Sequence, residues 1–229
     1  MSPSISVSHI PCSVHQRMFR RSSAYPCCAR GREPYDAGTH TIRTMGQLSE
    51  AEGRSAVSLA RQAVECAVRR ERIIRGKLPP AFSEVRGVFV TLSKEGELRG
   101  CIGLPYPIAP LADAIAEAGA SAALRDPRFM PVGQSELSRL QVEVTVLTLP
   151  VPIPGPAESR AAHVEIGRHG LIVRGRGTSG LLLPQVATEY GWSVEDFLDH
   201  TCRKAGLSGG CWRSPEIEVS TFEGQIFRE

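Results

Sequence analysis

The sequence predicts an α+β fold in which helices flank an antiparallel-rich sheet. Apolar residues recur at helical spacing in three separate segments, and short runs rich in apolar and β-branched residues between them indicate strands. Turn sequences join strands into hairpins, which favours antiparallel pairing over a doubly wound parallel sheet. With 41% hydrophobic and 22% charged residues, the 229-residue chain can bury a core.

The first 44 residues differ in composition from the rest. They hold six Arg, no Lys and two acidic residues, so they carry +4 and residues 45–229 carry −1 (3 − 4). Because they lack an apolar period, we predict a disordered or mis-started N-terminal extension over 1–44, with Met45 as an alternative start. A transit peptide is the less favoured interpretation. The slightly acidic remainder gives no reason to expect a nucleic-acid partner.

The hydropathy pattern and the cysteines indicate in which cellular compartment the protein is expected. No apolar run approaches the roughly 18 residues that cross a bilayer, so no membrane partner is expected. The seven Cys form no CxxC pair and no Cys/His spacing typical of zinc, so we expect no metal site. An odd number of Cys without a secretory signal favours free thiols in the cytoplasm.

The first half of the folded part begins with a helix and a hairpin. Ser49 followed by Glu52 is typical of a capping box and predicts a helix over about 49–72. Residues 85–93 are rich in β-branched and apolar side chains and predict a strand. A short charged turn follows, and a returning strand is expected to begin at Leu98.

The middle of the chain predicts a second helix and three further strands. Pro110 is expected in the first turn of a second helix, and the alternating residues 140–146 predict a half-buried antiparallel strand. The Pro-rich residues 150–162 are expected to form a connection that separates a subdomain from the rest of the fold. Two short strands, 170–174 and 180–183, flank a glycine-rich turn.

The last elements are a helix and a strand. Ser193 is a candidate N-cap for a helix that Gly206 ends. Residues 217–227 predict one terminal strand.

The segment Leu-Arg-Gly-Cys-Ile-Gly at 98–103 is the strongest candidate for chemistry. Gly100 and Gly103 flank Cys101, so backbone or a ligand can approach the thiol closely. Arg99 would lower the pKa of that thiol or hold an anion. One interpretation is a reactive thiol in a cleft; the alternative is a small, inert, buried Cys in a tightly packed hairpin.

Two other groups have a possible role at the same site. Asp126 would bind a cation, or it would fix Arg125 or Arg128 through a bidentate pair, and the structural pair is the favoured interpretation. His169 is a candidate general base for Cys101, oriented by Glu143. The alternative for His169 is an ordinary surface or core histidine.

Several motifs occur in an order that resembles a known family. They are LRGCIG (98–103), DPRF with Pro131 (126–131), ELSRLQVEVTVLT (136–148), HGLIV (169–173), LLLPQVA with Trp192 (181–192) and FL…C…KAGL with Trp212 (197–212). Together they make residues 45–229 similar to the AMMECR-type domain, named after the AMME syndrome chromosomal region. The prokaryotic members are called AmmeMemoRadiSam system protein A.

The resemblance implies an architecture and a site. It implies two unequal lobes in 45–229, a larger lobe with both termini and an inserted smaller lobe, with LRGCIG near the cleft between them. The residues predicted to line that cleft are Cys101 as nucleophile, His169 as base, and Arg99, Gly100, Gly103, Asp126, Arg128 and Glu143 as substrate-binding residues.

The resemblance also implies partner proteins, and we consider three alternative hypotheses for the function. The family is associated with Memo-like and radical SAM proteins, so the first hypothesis is an accessory component that handles an unknown small-molecule or protein substrate. The chain lacks CxxxCxxC, so a radical SAM cluster would belong to a partner, and no cofactor is expected here. The second hypothesis is a thiol enzyme with Cys101 as nucleophile. The third is a non-catalytic binding module in which LRGCIG is architecture.

Overall fold

A computed structural model describes residues 47–229, and the predicted extension over 1–44 lies outside the described residues. The helices are α1 (Glu50–Arg69), α2 (Leu111–Leu124), α3 (Pro184–Tyr190) and α4 (Val194–Lys204). The strands are β1 (Val88–Lys94), β2 (Glu97–Leu104), β3 (Leu140–Leu147), β4 (Val151–Pro152), β5 (Gly170–Gly175), β6 (Thr178–Leu182), β7 (Glu218–Phe222) and β8 (Gly224–Arg228). Short 3-10 helices cover Pro80–Ser83, Gln134–Arg139, Ala157–His163 and Cys211–Arg213.

The strands form two antiparallel sheets of four strands each. The first sheet has the order β2-β1-β3-β8 and the second sheet the order β4-β7-β5-β6. Every pairing between these strands is antiparallel. The predicted α+β class is confirmed.

Helices α1 and α2 cover one face of the first sheet. The capping box at Ser49 is present, since the Ser49 N–H donates to Glu52 Oε2 at 2.7 Å and the Ser49 side chain accepts from the Glu52 N–H. The helix ends at Arg69, three residues before the predicted end, because Arg70 adopts a left-handed conformation with φ +60°. The apolar stripe of α1 packs with α2 against Val88, Val90 and Leu92 of β1.

The β1–β2 hairpin contains a bulge that changes its register. Its turn residues Glu95 and Gly96 both have positive φ, as a two-residue type I′ hairpin turn requires. Leu92 pairs with Gly100 and Ser93 pairs with Leu98, so Arg99 is the extra residue. Beyond the bulge, each residue of β2 faces one position further along β1 than uninterrupted pairing would give.

The second sheet has its own core and its own helix. Ser193 caps α4 as predicted, and the buried face of α4 packs on β5 and β6. The centre of this core is Trp212, whose indole N–H donates to Asp199 Oδ1 at 2.8 Å. Helix α3 was not predicted from the sequence.

The predicted terminal strand 217–227 is two strands that belong to different sheets. The break is at Glu223, whose N–H donates to the Thr148 hydroxyl at 2.9 Å and whose carbonyl accepts from the Thr148 N–H at 2.9 Å. A side-chain hydroxyl therefore takes the place of one ladder carbonyl, and the chain passes from β7 of the second sheet to β8 of the first.

The chain leaves the first sheet after β3 and returns to it with β8. The Pro-rich segment 150–162 supplies β4 and most of a 3-10 helix, so it opens the second sheet. All strands of the second sheet lie within 151–222. The division of 45–229 into a larger lobe and an inserted smaller lobe stays a prediction.

One expectation about cysteines was wrong. Cys202 and Cys211 form a disulfide, whereas free thiols were expected. The glycine-containing loop between α4 and the following 3-10 helix brings their Cα atoms within 6.0 Å, a proximity that their spacing in sequence does not announce. Of the other cysteines that the structure describes, Cys66 and Cys101 are not disulfide-bonded.

None of the helices within residues 47–229 combines the length and the apolarity needed to cross a bilayer.

Replacing Gly100 by Ala tests the contact between β2 and α2. A Cβ at Gly100 would overlap the carbonyl oxygen of Ala122 in α2, which is backbone and cannot turn aside. We expect Gly100→Ala to lower the free energy of unfolding by about 1–3 kcal/mol in urea titrations. Gly133→Ala is the matched control, because its Cβ would have no neighbour closer than 3.7 Å. Equal stability of the two variants would contradict this account of the contact.

Candidate functional site

The site around Cys101 is built on the outer edge of β2, an edge strand of the first sheet. The Cys101 N–H donates to Asp126 Oδ2 at 2.8 Å, and Arg128 Nη2 donates to the Cys101 carbonyl at 3.1 Å. Both backbone groups of Cys101 thus point away from β1 and are satisfied by side chains. We call Asp126 and Arg128 with these bonds the Asp126–Arg128 clasp; at this residue it replaces a neighbouring strand.

The clasp is itself a bidentate ion pair. Arg128 donates from Nε to Asp126 Oδ1 at 2.9 Å and from Nη2 to Oδ2 at 2.7 Å, and its backbone N–H donates to Oδ1 at 3.1 Å. Burial alone raises the pKa of Asp126, but the bonds from Arg128 and from the Cys101 N–H outweigh it and leave the pKa below its ordinary value. Of the two predicted arginine partners, Asp126 binds Arg128, while Arg125 pairs with Glu117.

The Cys101 side chain lies between the two sheets. It belongs to an apolar cluster with Phe89 and Leu147 of the first sheet and with Ile172, Leu181 and Phe222 of the second sheet. Cys101 is only 7% exposed. The Thr91 hydroxyl donates to Cys101 Sγ at 3.3 Å. The thiol therefore sits on the face of β2 that the helices leave uncovered, in a mostly apolar setting.

Thr91 is a residue that the sequence analysis missed. Counting back from the Glu95-Gly96 turn without a bulge would place Val90, not Thr91, opposite Cys101. The bulge at Arg99 shifts the register by one and brings Thr91 opposite Cys101. No local sequence pattern predicts this one-residue shift in the register between β1 and β2.

Arg99 binds a carboxylate rather than approaching the thiol. Its Nε and Nη2 donate to the two oxygens of Glu136 at 3.1 and 3.0 Å, and its Nη1 donates to the Met130 carbonyl. Lys94 and the Gly133 N–H also bind Glu136. The Arg99 guanidinium, followed by the Gly133 N–H and Lys94, lowers the pKa of Glu136 from 4.5 to about 2.

The two motif glycines meet protein atoms. A Cβ at Gly100 would overlap α2, and a Cβ at Gly103 would overlap the ring of Phe89. The close approach that the sequence analysis expected is therefore made by a helix backbone and by an aromatic ring.

His169 and Glu143 have other hydrogen-bond partners. His169 Nδ1 accepts from the Glu165 N–H at 3.0 Å, and its Nε2 lies 4.0 Å from Glu223 Oε1. Glu143 Oε2 accepts from Arg228 Nε at 2.7 Å. The register does place Glu143 beside Thr91 and so in one cross-strand row with Cys101.

The structure thus joins some predicted residues and separates others. Cys101, Asp126 and Arg128 lie together, Arg99 joins the adjacent Glu136 network, and His169 belongs to a group near Glu223. Their catalytic or substrate-binding roles stay predictions for Cys101, His169, Arg99, Gly100, Gly103, Asp126, Arg128 and Glu143. Within residues 47–229, no three His, Cys, Asp or Glu side chains gather as a metal site.

A cavity of about 370 Å³ lies between the sheets on the β3–β8 side; we call it the inter-sheet cavity. Its wall combines hydroxyl, amide and charged groups with apolar side chains: Thr145, Leu147, Gly167, Arg168, Leu183, Pro184, Gln185, Glu223, Gly224 and Ile226. Arg168 Nε donates to Glu223 Oε1 at 2.9 Å at its rim. The sequence analysis missed this cavity because its wall comes from four distant segments that share no motif.

Comparisons with known proteins agree on one family. A family model described as AMMECR1 matches residues 57–227. A protein of Methanosarcina barkeri is 51% identical over 187 residues, which cover 80% of this chain and 92% of that protein. A protein of Thermococcus gammatolerans is 48% identical over 192 residues, covering 81% and 94%. The predicted family is confirmed.

A solved structure is similar as well. The crystal structure of an uncharacterized protein from Pyrococcus horikoshii is 44% identical in sequence and superposes with a TM-score of 0.68. The match covers 80% of this chain and 93% of that one. The α+β fold is therefore shared with a protein of related sequence.

The Glu136 network predicts a pH dependence of stability. Because the pKa of Glu136 is about 2 in the folded chain and ordinarily 4.5, its stabilisation is fully present above pH 4.5 and is lost as pH falls toward 2. We expect Glu136→Gln to lower stability at neutral pH and to flatten the loss of stability between these pH values, measured by urea unfolding. Glu189→Gln is the control, since exposed Glu189 has no ion pair among the described residues. Parallel pH profiles of wild type and Glu136→Gln would contradict the prediction.

Proposed function

Because this chain belongs to the AMMECR1 family, we propose that it is an accessory, substrate-handling component of a cytoplasmic modification system with Memo-like and radical SAM proteins. In this proposal the chain holds an unknown small molecule or a segment of a protein substrate while a partner performs the chemistry. The substrate occupies the inter-sheet cavity.

The main support for this proposal is the contrast between the inter-sheet cavity, which is open to a ligand, and the Cys101 side chain, which is buried. The cavity volume, about 370 Å³, lies within the range of roughly 300–1,000 Å³ that small-molecule sites occupy. Among the described residues that line it, none is Cys or His. Such a wall can bind and orient a ligand, but it supplies neither a thiol nor an imidazole for catalysis, which supports a handling role.

The wall of the cavity indicates the kind of group it holds. Leu147, Leu183 and Ile226 supply apolar surface, while Thr145 and Gln185 supply a hydroxyl and an amide. The charges of Arg168 and Glu223 at the rim offset each other. A ligand part of mixed polarity without a large net charge suits this wall.

The alternative of a thiol enzyme has less support. A nucleophilic Cys needs an accessible thiolate and a base within hydrogen-bond reach. Cys101 is 7% exposed, and the His169 ring accepts a hydrogen bond from the Glu165 N–H instead of bonding to the thiol. The third hypothesis, a binding module with LRGCIG as architecture, is compatible with the handling role, since Gly100 and Gly103 are both used in packing.

The test combines the full chain with the Memo-like and radical SAM proteins of the same organism. Co-purification is measured first, and then the turnover of the radical SAM protein with and without this chain. We expect a complex and an increased turnover. Ile226→Trp, which fills the cavity from a partly exposed position, should reduce the increase about tenfold, equivalent to roughly 1.4 kcal/mol of substrate binding.

Ile108→Trp is the matched control, because Ile108 is 76% exposed and does not line the cavity. It should leave complex formation and turnover unchanged. Absence of both binding and any effect on turnover would contradict the accessory role. A normal effect with Ile226→Trp would contradict the use of the inter-sheet cavity.

A further inference from the structure

A second cavity lies on α1, on the opposite side of the first sheet from the second sheet. It has a volume of about 400 Å³ and forms between the outer flank of α1 and the irregular segment that follows it; we call it the α1 groove. Its wall is largely polar and consists of Ala51, Arg54, Ser55, Ser58, Leu59, Gln62, Arg75, Gly76 and Leu78. Nothing in the proposed handling role uses this groove.

The shape of the groove is fixed by contacts of its own residues. Gln62 Nε2 donates to the Ile74 carbonyl at 2.9 Å and ties the irregular segment to α1. Arg75 pairs with Asp113 of α2, which anchors the same segment at a second point. The two walls are therefore connected, and a ligand would find the groove already formed.

Donors for an anion are available on the α1 wall. Within residues 47–229, Arg54 has no carboxylate at ion-pair distance, and the Ser58 hydroxyl has no hydrogen bond. They are four residues apart on a helix, so both side chains lie on one flank. The Ser55 hydroxyl lines the same groove and donates to the Ala51 carbonyl at 3.0 Å.

The chain segment that leads into the second wall of the groove is more basic than the folded part as a whole. Residues 69–77 contain five basic residues and one acid, a local net charge of +4 (5 − 1), whereas residues 45–229 together carry −1. Among these five, Arg70, Arg72 and Lys77 have no carboxylate partner in the described part of the chain. Only Arg75 of these five lines the groove, so the other four act on a bound ligand at longer range, where their positive charge favours an anion over a neutral molecule.

We infer that the α1 groove binds a phosphate-bearing small molecule. Arg54 and Arg75 supply guanidinium groups, whose planar donors match phosphate oxygens, and Ser58 supplies a hydroxyl donor. Phosphate suits the local charge better than a single carboxylate does, because it carries more charge and more acceptor oxygens. The groove also exceeds the size of a bare ion, so the remainder of the ligand lies along Leu59 and Leu78.

Calorimetric titration of the full chain with inorganic pyrophosphate and, separately, with inorganic phosphate tests the inference. We expect one saturable site that prefers pyrophosphate. Arg54→Gln should weaken binding roughly tenfold or more, as expected for a lost charge-assisted hydrogen bond, and Ser58→Ala should weaken it less. Arg174→Gln is the matched control, since Arg174 is also exposed and without an ion pair among described residues but lies on β5. Its affinity should equal that of the wild type.

Absence of saturable pyrophosphate binding would overturn the inference. So would equal affinities of wild type and Arg54→Gln, because binding would then come from diffuse positive charge elsewhere in the chain. Unfolding curves of the two Arg variants establish that both remain folded, so a change confined to Arg54→Gln reports on the groove.

Discussion

The interaction on which the motif region depends is the Asp126–Arg128 clasp at the edge of β2. An edge strand leaves backbone groups without partners, and at Cys101 the clasp satisfies both of them with two side chains. The same bonds fix the loop after α2 against β2. Because α2 ends just before that loop, the clasp also holds the helix close to β2. At this distance only a glycine fits at position 100, since a Cβ there would overlap the backbone of α2. The LRGCIG motif, the loop and α2 are therefore one packed unit.

The sequence predicted the elements whose signals are local. The capping box at Ser49 and the N-cap at Ser193 mark two helix starts. The alternation in β3 marks a strand, but residues 144–147 are buried on both faces, because the second sheet covers the face that was expected to be exposed. Elements whose signals are not local were missed. Glu223, at the break, bonds to the Thr148 hydroxyl, 75 residues away in sequence, and Arg99, at the bulge, bonds to Glu136, 37 residues away. Residue patterns in one strand cannot report such partners.

The same distinction holds for the candidate sites. Cys101, Asp126 and Arg128 stood out because they belong to short motifs, and the structure brings them together. The inter-sheet cavity and the α1 groove are assembled from residues that carry no motif, and the Cys202–Cys211 disulfide joins cysteines in no familiar spacing. The motifs therefore identified the packed region around Cys101, whereas the cavities could be seen only in the assembled structure of the two sheets and α1.

The central claim is that Cys101 is an element of architecture, closed off between the sheets. The most direct measurement is the rate of alkylation of each cysteine in the native full chain, followed by mass spectrometry of peptides. Cys66 is the internal reference, because it is also not disulfide-bonded and is more exposed, on α1. The account predicts that Cys66 reacts in the native state and Cys101 only as fast as the protein unfolds. Alkylation of Cys101 at the rate of Cys66 would contradict the account and favour a thiol enzyme.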